Sequence, residues 1–117
     1  MTPFRLILGL AILAAVPASA QDTASASDIS AAIAGNTVRG AMVASGGFEE
    51  YYGTDGSIRG ADYAGAWSVA GNRLCLAYDG NPASCWSVRL SGRNLVWVGA
   101  SGDEGTGVIL PGNPNNF

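Results

Sequence analysis

From Thr37 to the C-terminus the chain is cut into short pieces. Glycine recurs every few residues, and between glycines the apolar residues run in brief alternating stretches. Alternation with a period of two marks β-strands with one face buried. Strands are predicted near 37–43, 48–53, 57–63, 65–70, 73–78, 85–90, 94–99 and 105–110. Asp55-Gly56, Gly71-Asn72, Asp79-Gly80-Asn81-Pro82 and Ser91-Gly92 supply the turns, because their residues tolerate the left-handed backbone that tight hairpins need. Eight such strands imply an all-β fold. They form an antiparallel meander that curls into a small barrel or half-barrel. Gly40, Gly60, Gly65 and Gly99 fall inside or beside strands and suit bends or bulges.

One short helix precedes the strands. Ser27-Asp28 can cap a helix through Ile29, Ala32 and Ile33 that stops at Gly35. Two turns of helix are not stable alone, so this one must dock on the strands. Residues 21–27 are small and polar and read as a flexible leader, with 28–117 as a single β-rich domain.

The two cysteines, Cys75 and Cys85, are expected to form a disulfide. Closing a loop of about eleven residues stabilises by about 2.8 kcal/mol on chain-entropy grounds. If Cys75 faces Cys85, Leu74 faces Trp86 and Arg73 faces Ser87. Leu74, Leu76 and Tyr78 then share the core face with Trp86, Val88 and Leu90. A slip of one residue would turn Arg73 and Arg89 inward.

Residues 1–20 read as an address. Arg5 precedes an apolar run from Leu6 to Val16, and Ala18-Ser19-Ala20 is a small-residue cleavage signal. The run is too short to span a bilayer, which takes about 20 residues. A signal peptide at 1–20 makes the protein exported, periplasmic or extracellular, with no membrane contact after cleavage. Much of the 48% hydrophobic content then belongs to the signal. The remaining chain has five arginines against nine acids, a net charge of −4.

What the sequence lacks narrows its chemistry. There is no histidine, and all six basic residues are arginines. Ser-His-Asp and Cys-His catalysis, the usual zinc ligand sets and Schiff-base lysines are therefore excluded. The acidic balance argues against nucleic acid as a partner. Asp103 and Glu104 lack the Asp-x-Asp spacing of a calcium loop, and 102–107 reads as a hairpin loop. No cofactor, metal or catalytic residue is expected.

Aromatic residues carry the remaining functional signal. Phe48-Glu49-Glu50-Tyr51-Tyr52 is the densest polar-aromatic segment, read as an edge strand with half-buried aromatics and acids in solvent. Glu49 and Glu50 point to opposite faces, so they cannot jointly flank one substrate. Asp55, Asp62 and Asp79 are alternative carboxylates for a hydrolase, though nothing in the sequence pairs them. Trp67, Trp86 and Trp97 sit at positions more typical of core than of a stacking platform. Around Trp97 both strand faces are apolar, so one is a candidate binding or dimer surface. Tyr51, Tyr52 and Trp97 are thus the candidate ligand or partner surface.

A resemblance rests on several of these motifs. They are Gly35-Asn36-Thr37-Val38, Glu50-Tyr51-Tyr52, Asp55-Gly56-Ser57-Ile58-Arg59-Gly60, Gly65-Ala66-Trp67-Ser68-Val69, Leu74-Cys75, Cys85-Trp86 and Gly112-Asn113-Pro114. In this order they resemble small exported β-rich proteins of alphaproteobacteria. The resemblance covers about residues 35–117, implies an all-β secreted fold and brings no catalytic residues. A looser likeness is to periplasmic β-barrel inhibitors of secreted metalloproteases, which act through an extended N-terminal arm; residues 21–27 would be that arm. The expected function is a binding module for a small apolar ligand or a protein partner. A protease inhibitor and a carboxylate hydrolase are the alternatives.

Overall fold

The computed structural model describes residues 22–117, so the expected signal peptide and its cleavage point lie outside the described residues. One helix, α1 (Ala26–Ile33), leads into eight strands. These are β1 (Asn36–Met42), β2 (Gly46–Tyr52), β3 (Ser57–Arg59), β4 (Ala64–Ala70), β5 (Arg73–Tyr78), β6 (Ser84–Ser91), β7 (Asn94–Gly99) and β8 (Gly102–Leu110). Every strand pairs antiparallel with the next, and β8 returns to pair with β1, so the barrel is closed. Closure leaves no sheet edge, and β2 is therefore not the edge strand the sequence suggested.

The turns behave as their composition requires. Gly71 and Asn72 both have positive φ, as do Asp79 and Gly80. That is the backbone of the tight hairpin turns whose twist matches the flanking strands. Two bounds differ from the sequence reading. β3 ends at Arg59, so Tyr63 lies in a connecting loop; β8 begins at Gly102, so residues 102–107 are strand and not a hairpin loop.

The cysteine hairpin adopts the expected register. Cys75 pairs with Cys85 and Leu74 with Trp86, and the disulfide links the two cysteines. Leu74 and Val88 are fully buried, while Arg73 is exposed and Arg89 bonds Asp103 on the outer surface. The ladder stops at Leu74 and Trp86, one pair short of Arg73 opposite Ser87. Beyond that point the N-terminal segment takes over, and the Ala24 N–H donates to the Val88 carbonyl at 2.6 Å.

The helix closes one end of the barrel. Its cap is Ser25, two residues before the expected Ser27, and the Ser25 hydroxyl accepts from the Asp28 N–H. The Ala26 N–H donates to the Asn72 side chain in the β4–β5 turn. Ile29 and Ile33, one helical turn apart on one face, are fully buried. They meet Val38, Ile58, Leu74, Val88 and Leu95, all fully buried, in a filled core. Each such side chain contributes about 1.5–3 kcal/mol. Of the segment 21–27 expected as a leader, Ala24 to Ser27 are thus tied to the barrel or lie in the helix.

Antiparallel alternation puts the turns 53–56, 71–72 and 92–93 at the helix end. The connections 43–45, 60–63, 79–83 and 100–101 stand at the opposite end, the mouth.

The β1–β8 seam depends on a bare backbone at Gly40, which faces Gly107 across the ladder. A Cβ at Gly40 would overlap the Thr106 carbonyl oxygen and lie 2.8 Å from the Gly107 Cα. Neither is a flexible side-chain end, so the strands would have to part. Gly40→Ala is expected to lower unfolding stability by about 2 kcal/mol or more, as overpacking does. Urea denaturation measures it; an unchanged midpoint would show that the seam tolerates a side chain.

Candidate functional site

The half of the barrel nearest the mouth is hollow. A cavity of about 610 Å³ opens there, lined by Phe48, Leu76, Trp86 and Trp97 with Glu50, Tyr63, Tyr78 and Glu104, and by Met42 to Ser45 at the lip. That size falls among cavities that accept a small organic ligand, and an eight-stranded barrel is just wide enough to hold one. Trp86 and Trp97 line the cavity. Trp67 instead donates its indole N–H to the Gly53 carbonyl at 2.8 Å and packs edge-on to Tyr52.

Glycines explain why large side chains leave the axis open. Trp97 lies against Gly107, where an added Cβ would meet its ring at 3.2 Å. Met42 lies against Gly105, and the Glu104 carboxylate lies against Gly99, each occupying the space a Cβ would take. Bulky groups therefore lie flat on the wall.

Alternation along β2 sends Phe48, Glu50 and Tyr52 inward and Glu49 outward. Glu50 is only 3% exposed, which corrects the expectation that both glutamates stand in solvent. Three phenols surround it. Tyr52 and Tyr78 donate to Oε1 at 2.6 and 2.7 Å, and Tyr63 donates to Oε2 at 2.9 Å. A carboxylate offers about four lone-pair sites, so roughly one remains, on Oε2. The donors come from β2, the β3–β4 loop and β5, and of the three only Tyr52 is linked to Glu50 by sequence spacing. Glu49, in contrast, bonds Arg39 and Asn115 outside, and both bonds hold its carboxyl below the usual range.

The second carboxylate reaches the cavity through a β-bulge. Trp97 pairs with Gly105 and Val98 with Asp103, leaving Glu104 as the extra residue. The bulge shifts the phase of alternation by one. Asp103 consequently points outward to Arg89 at 2.8 Å, and Glu104 points inward, where its Oε2 accepts from the Trp86 indole at 2.7 Å. No hydrogen bond to its Oε1 is made among the described residues. The Trp97 indole N–H is buried and likewise has no partner there. Phe48 packs edge-on against the Trp97 ring at 5.4 Å.

The three candidate surface residues separate. Trp97 is 1% exposed and lines the cavity; Tyr52 is fully buried and supports Glu50 from below. Tyr51 is half-buried on the outer face, opposite Arg59 in the β2–β3 ladder. Asp55 bonds Ser57 in a turn at the helix end, whereas Asp62 and Asp79 are exposed in mouth loops. Sequence reasoning missed Glu50 and Glu104 as cavity residues. The Phe48-x-Glu50-x-Tyr52 alternation carried the signal for the first. No group of three or more metal-ligating side chains is assembled among the described residues. No family model, curated protein or solved structure matches the chain.

Burial and the neighbouring Glu50 carboxylate push the phenols of Tyr52, Tyr63 and Tyr78 well above their ordinary range. An unfolded tyrosine loses its proton near pH 10. The folded state keeps these protons longer, so stability is full below about pH 10 and falls as pH rises beyond it. In an absorbance titration near 295 nm, phenolate from these three is expected only as the barrel unfolds. Their ionisation near pH 10 with the fold intact would contradict the network.

Proposed function

We propose that the protein is a binding module that takes a small, mainly apolar molecule into the mouth of its barrel. The hollow half carries this reading, since a chain this short has every reason to fill its core. Phe48, Trp86 and Trp97 supply flat apolar contact, and Val43, 85% exposed, stands at the lip.

Binding is favoured over catalysis. Glu50 has three phenolic donors on its carboxylate, an arrangement that fixes a group in place more than it frees it to exchange protons. Nucleic acid is not the partner, given the acidic balance. Inhibition of a protease by residues 21–27 loses support, since Ala24 and Ala26 bond the barrel through their backbone N–H groups.

A neutral fluorescent probe tests the reading. N-phenyl-1-naphthylamine should brighten and quench tryptophan emission on mixing with the protein. Leu76→Trp places bulk in the cavity and should abolish both signals while far-ultraviolet circular dichroism is retained. No binding by the unaltered protein, or undiminished binding by the variant, overturns the proposal.

We further propose that the chain is exported and cleaved after Ala20. The motif at 18–20 and a disulfide in so small a domain support this. Expression of the full chain in a bacterial host should yield protein beginning at Gln21 in the periplasmic fraction. Uncleaved protein in the cytoplasm would refute it.

A further inference from the structure

Among the described residues, two carboxylates and no basic group line the cavity. Glu50 and Glu104 both line it, and the chain has no lysine or histidine to balance them. The described arginines lie elsewhere. Arg39 and Arg89 pair with Glu49 and Asp103 on the outer face, while Arg73 and Arg93 are exposed at the helix end. Arg59 is exposed near Asp55. Asp62 and Asp79 add two acids to the mouth loops, so the entrance and the interior share one sign. A cleft lined by one sign of charge between low-dielectric walls concentrates ligands of the other sign.

The two carboxylates are held differently. Glu50 is anchored by its three phenols at the inner end, a fixed charge with little bonding capacity left. Glu104 is turned inward by the bulge and oriented by Trp86, yet its Oε1 makes no bond among the described residues. Trp86, Trp97, Tyr63, Tyr78 and Phe48 surround the space between with aromatic rings, whose faces attract cations.

We infer that the occupant is an organic cation: an amine with an apolar body, whose ammonium group bonds Glu104 among the aromatic rings. This inference rests on the small-molecule reading of the cavity and names the class that fits it. Glu104 is the residue that recognises charge; the aromatic walls take the body of the ligand.

A set of matched probes separates the two levels. Calorimetry with 2-phenylethylammonium, its neutral counterpart n-propylbenzene and the anion 3-phenylpropionate reads the charge preference directly. The ammonium probe should bind about tenfold more tightly than the neutral one, with the anion weakest. In Glu104→Gln the ratio of ammonium to neutral affinity should fall towards one. Equal or better binding of the neutral probe, or a ratio unmoved by Glu104→Gln, overturns the cation inference and leaves the apolar-cavity reading standing. If none of the three binds, and the naphthylamine probe fails as well, the cavity reading itself falls. Should the variant fail to fold, the ranking of the three probes on the unaltered protein decides.

Discussion

A carboxylate buried as completely as that of Glu50 must be hydrogen-bonded on both oxygens, or the cost of removing it from water would expel it. At Glu50 this is done by three phenols from three separate parts of the chain. The constraint works in both directions. Glu50 needs Tyr52, Tyr63 and Tyr78, and the phenols in turn fix the positions of β2, the β3–β4 loop and β5 relative to one another. Such a network is directional where hydrophobic contact is not, and it specifies one arrangement of the wall when fully satisfied. β3 has only three residues and little ladder of its own, so the bond from Tyr63 supplies order where backbone pairing is thinnest.

Around that network the barrel divides into two halves with different tasks. At the helix end, Ile29 and Ile33 fill the opening and aliphatic side chains pack the interior, which is where apolar burial supports the fold. The disulfide sits on β5 and β6, a pair with a short ladder, and offsets the missing backbone bonds there. At the mouth, stability is given up. Space is left unfilled, a carboxylate is buried and an indole donor finds no partner among the described residues. The flat-lying arrangement of Trp97, Met42 and Glu104 against glycines keeps that space open without thinning the wall.

The fold was largely legible in the sequence, and for local reasons. Turn residues announce turns wherever the chain passes, and alternation announces strands. The facing of Cys75 and Cys85 fixes a register that every residue on β5 and β6 then follows. The helix was legible as an element, with its cap placed two residues late because Ser25 and Ser27 are chemically equivalent candidates. Barrel closure was left open, since only the non-local pairing of β1 with β8 decides it. The cavity was partly legible: Trp97 was marked, but Glu50 was assigned to solvent by the general habit of acids. Period-two arithmetic alone places Glu50 beside Phe48 and Tyr52; its partners Tyr63 and Tyr78 could not be paired with it from spacing. Glu104 was hidden more deeply, because a bulge inverts the facing of a strand and Gly102 to Gly107 resembles a loop.

Those failures share an address. Glu50 and Glu104 line the mouth cavity, and so does the indole of Trp97 whose donor is unmatched. Elsewhere the residues follow local rules of propensity, facing and burial. Sequences that specify one structure keep those rules nearly everywhere and break them where something other than stability is being served. A bulge that turned Glu104 inward merely to bond Trp86 would be a costly route to one hydrogen bond, since an unbulged strand would leave Glu104 in solvent at no desolvation cost. The same holds for Glu50: an apolar residue between Phe48 and Tyr52 would satisfy the core without three phenols to accommodate it. Two independent departures converge on one cavity, both placing a carboxylate where no basic side chain of the described residues lies, and the proposed binding in the mouth rests on that convergence.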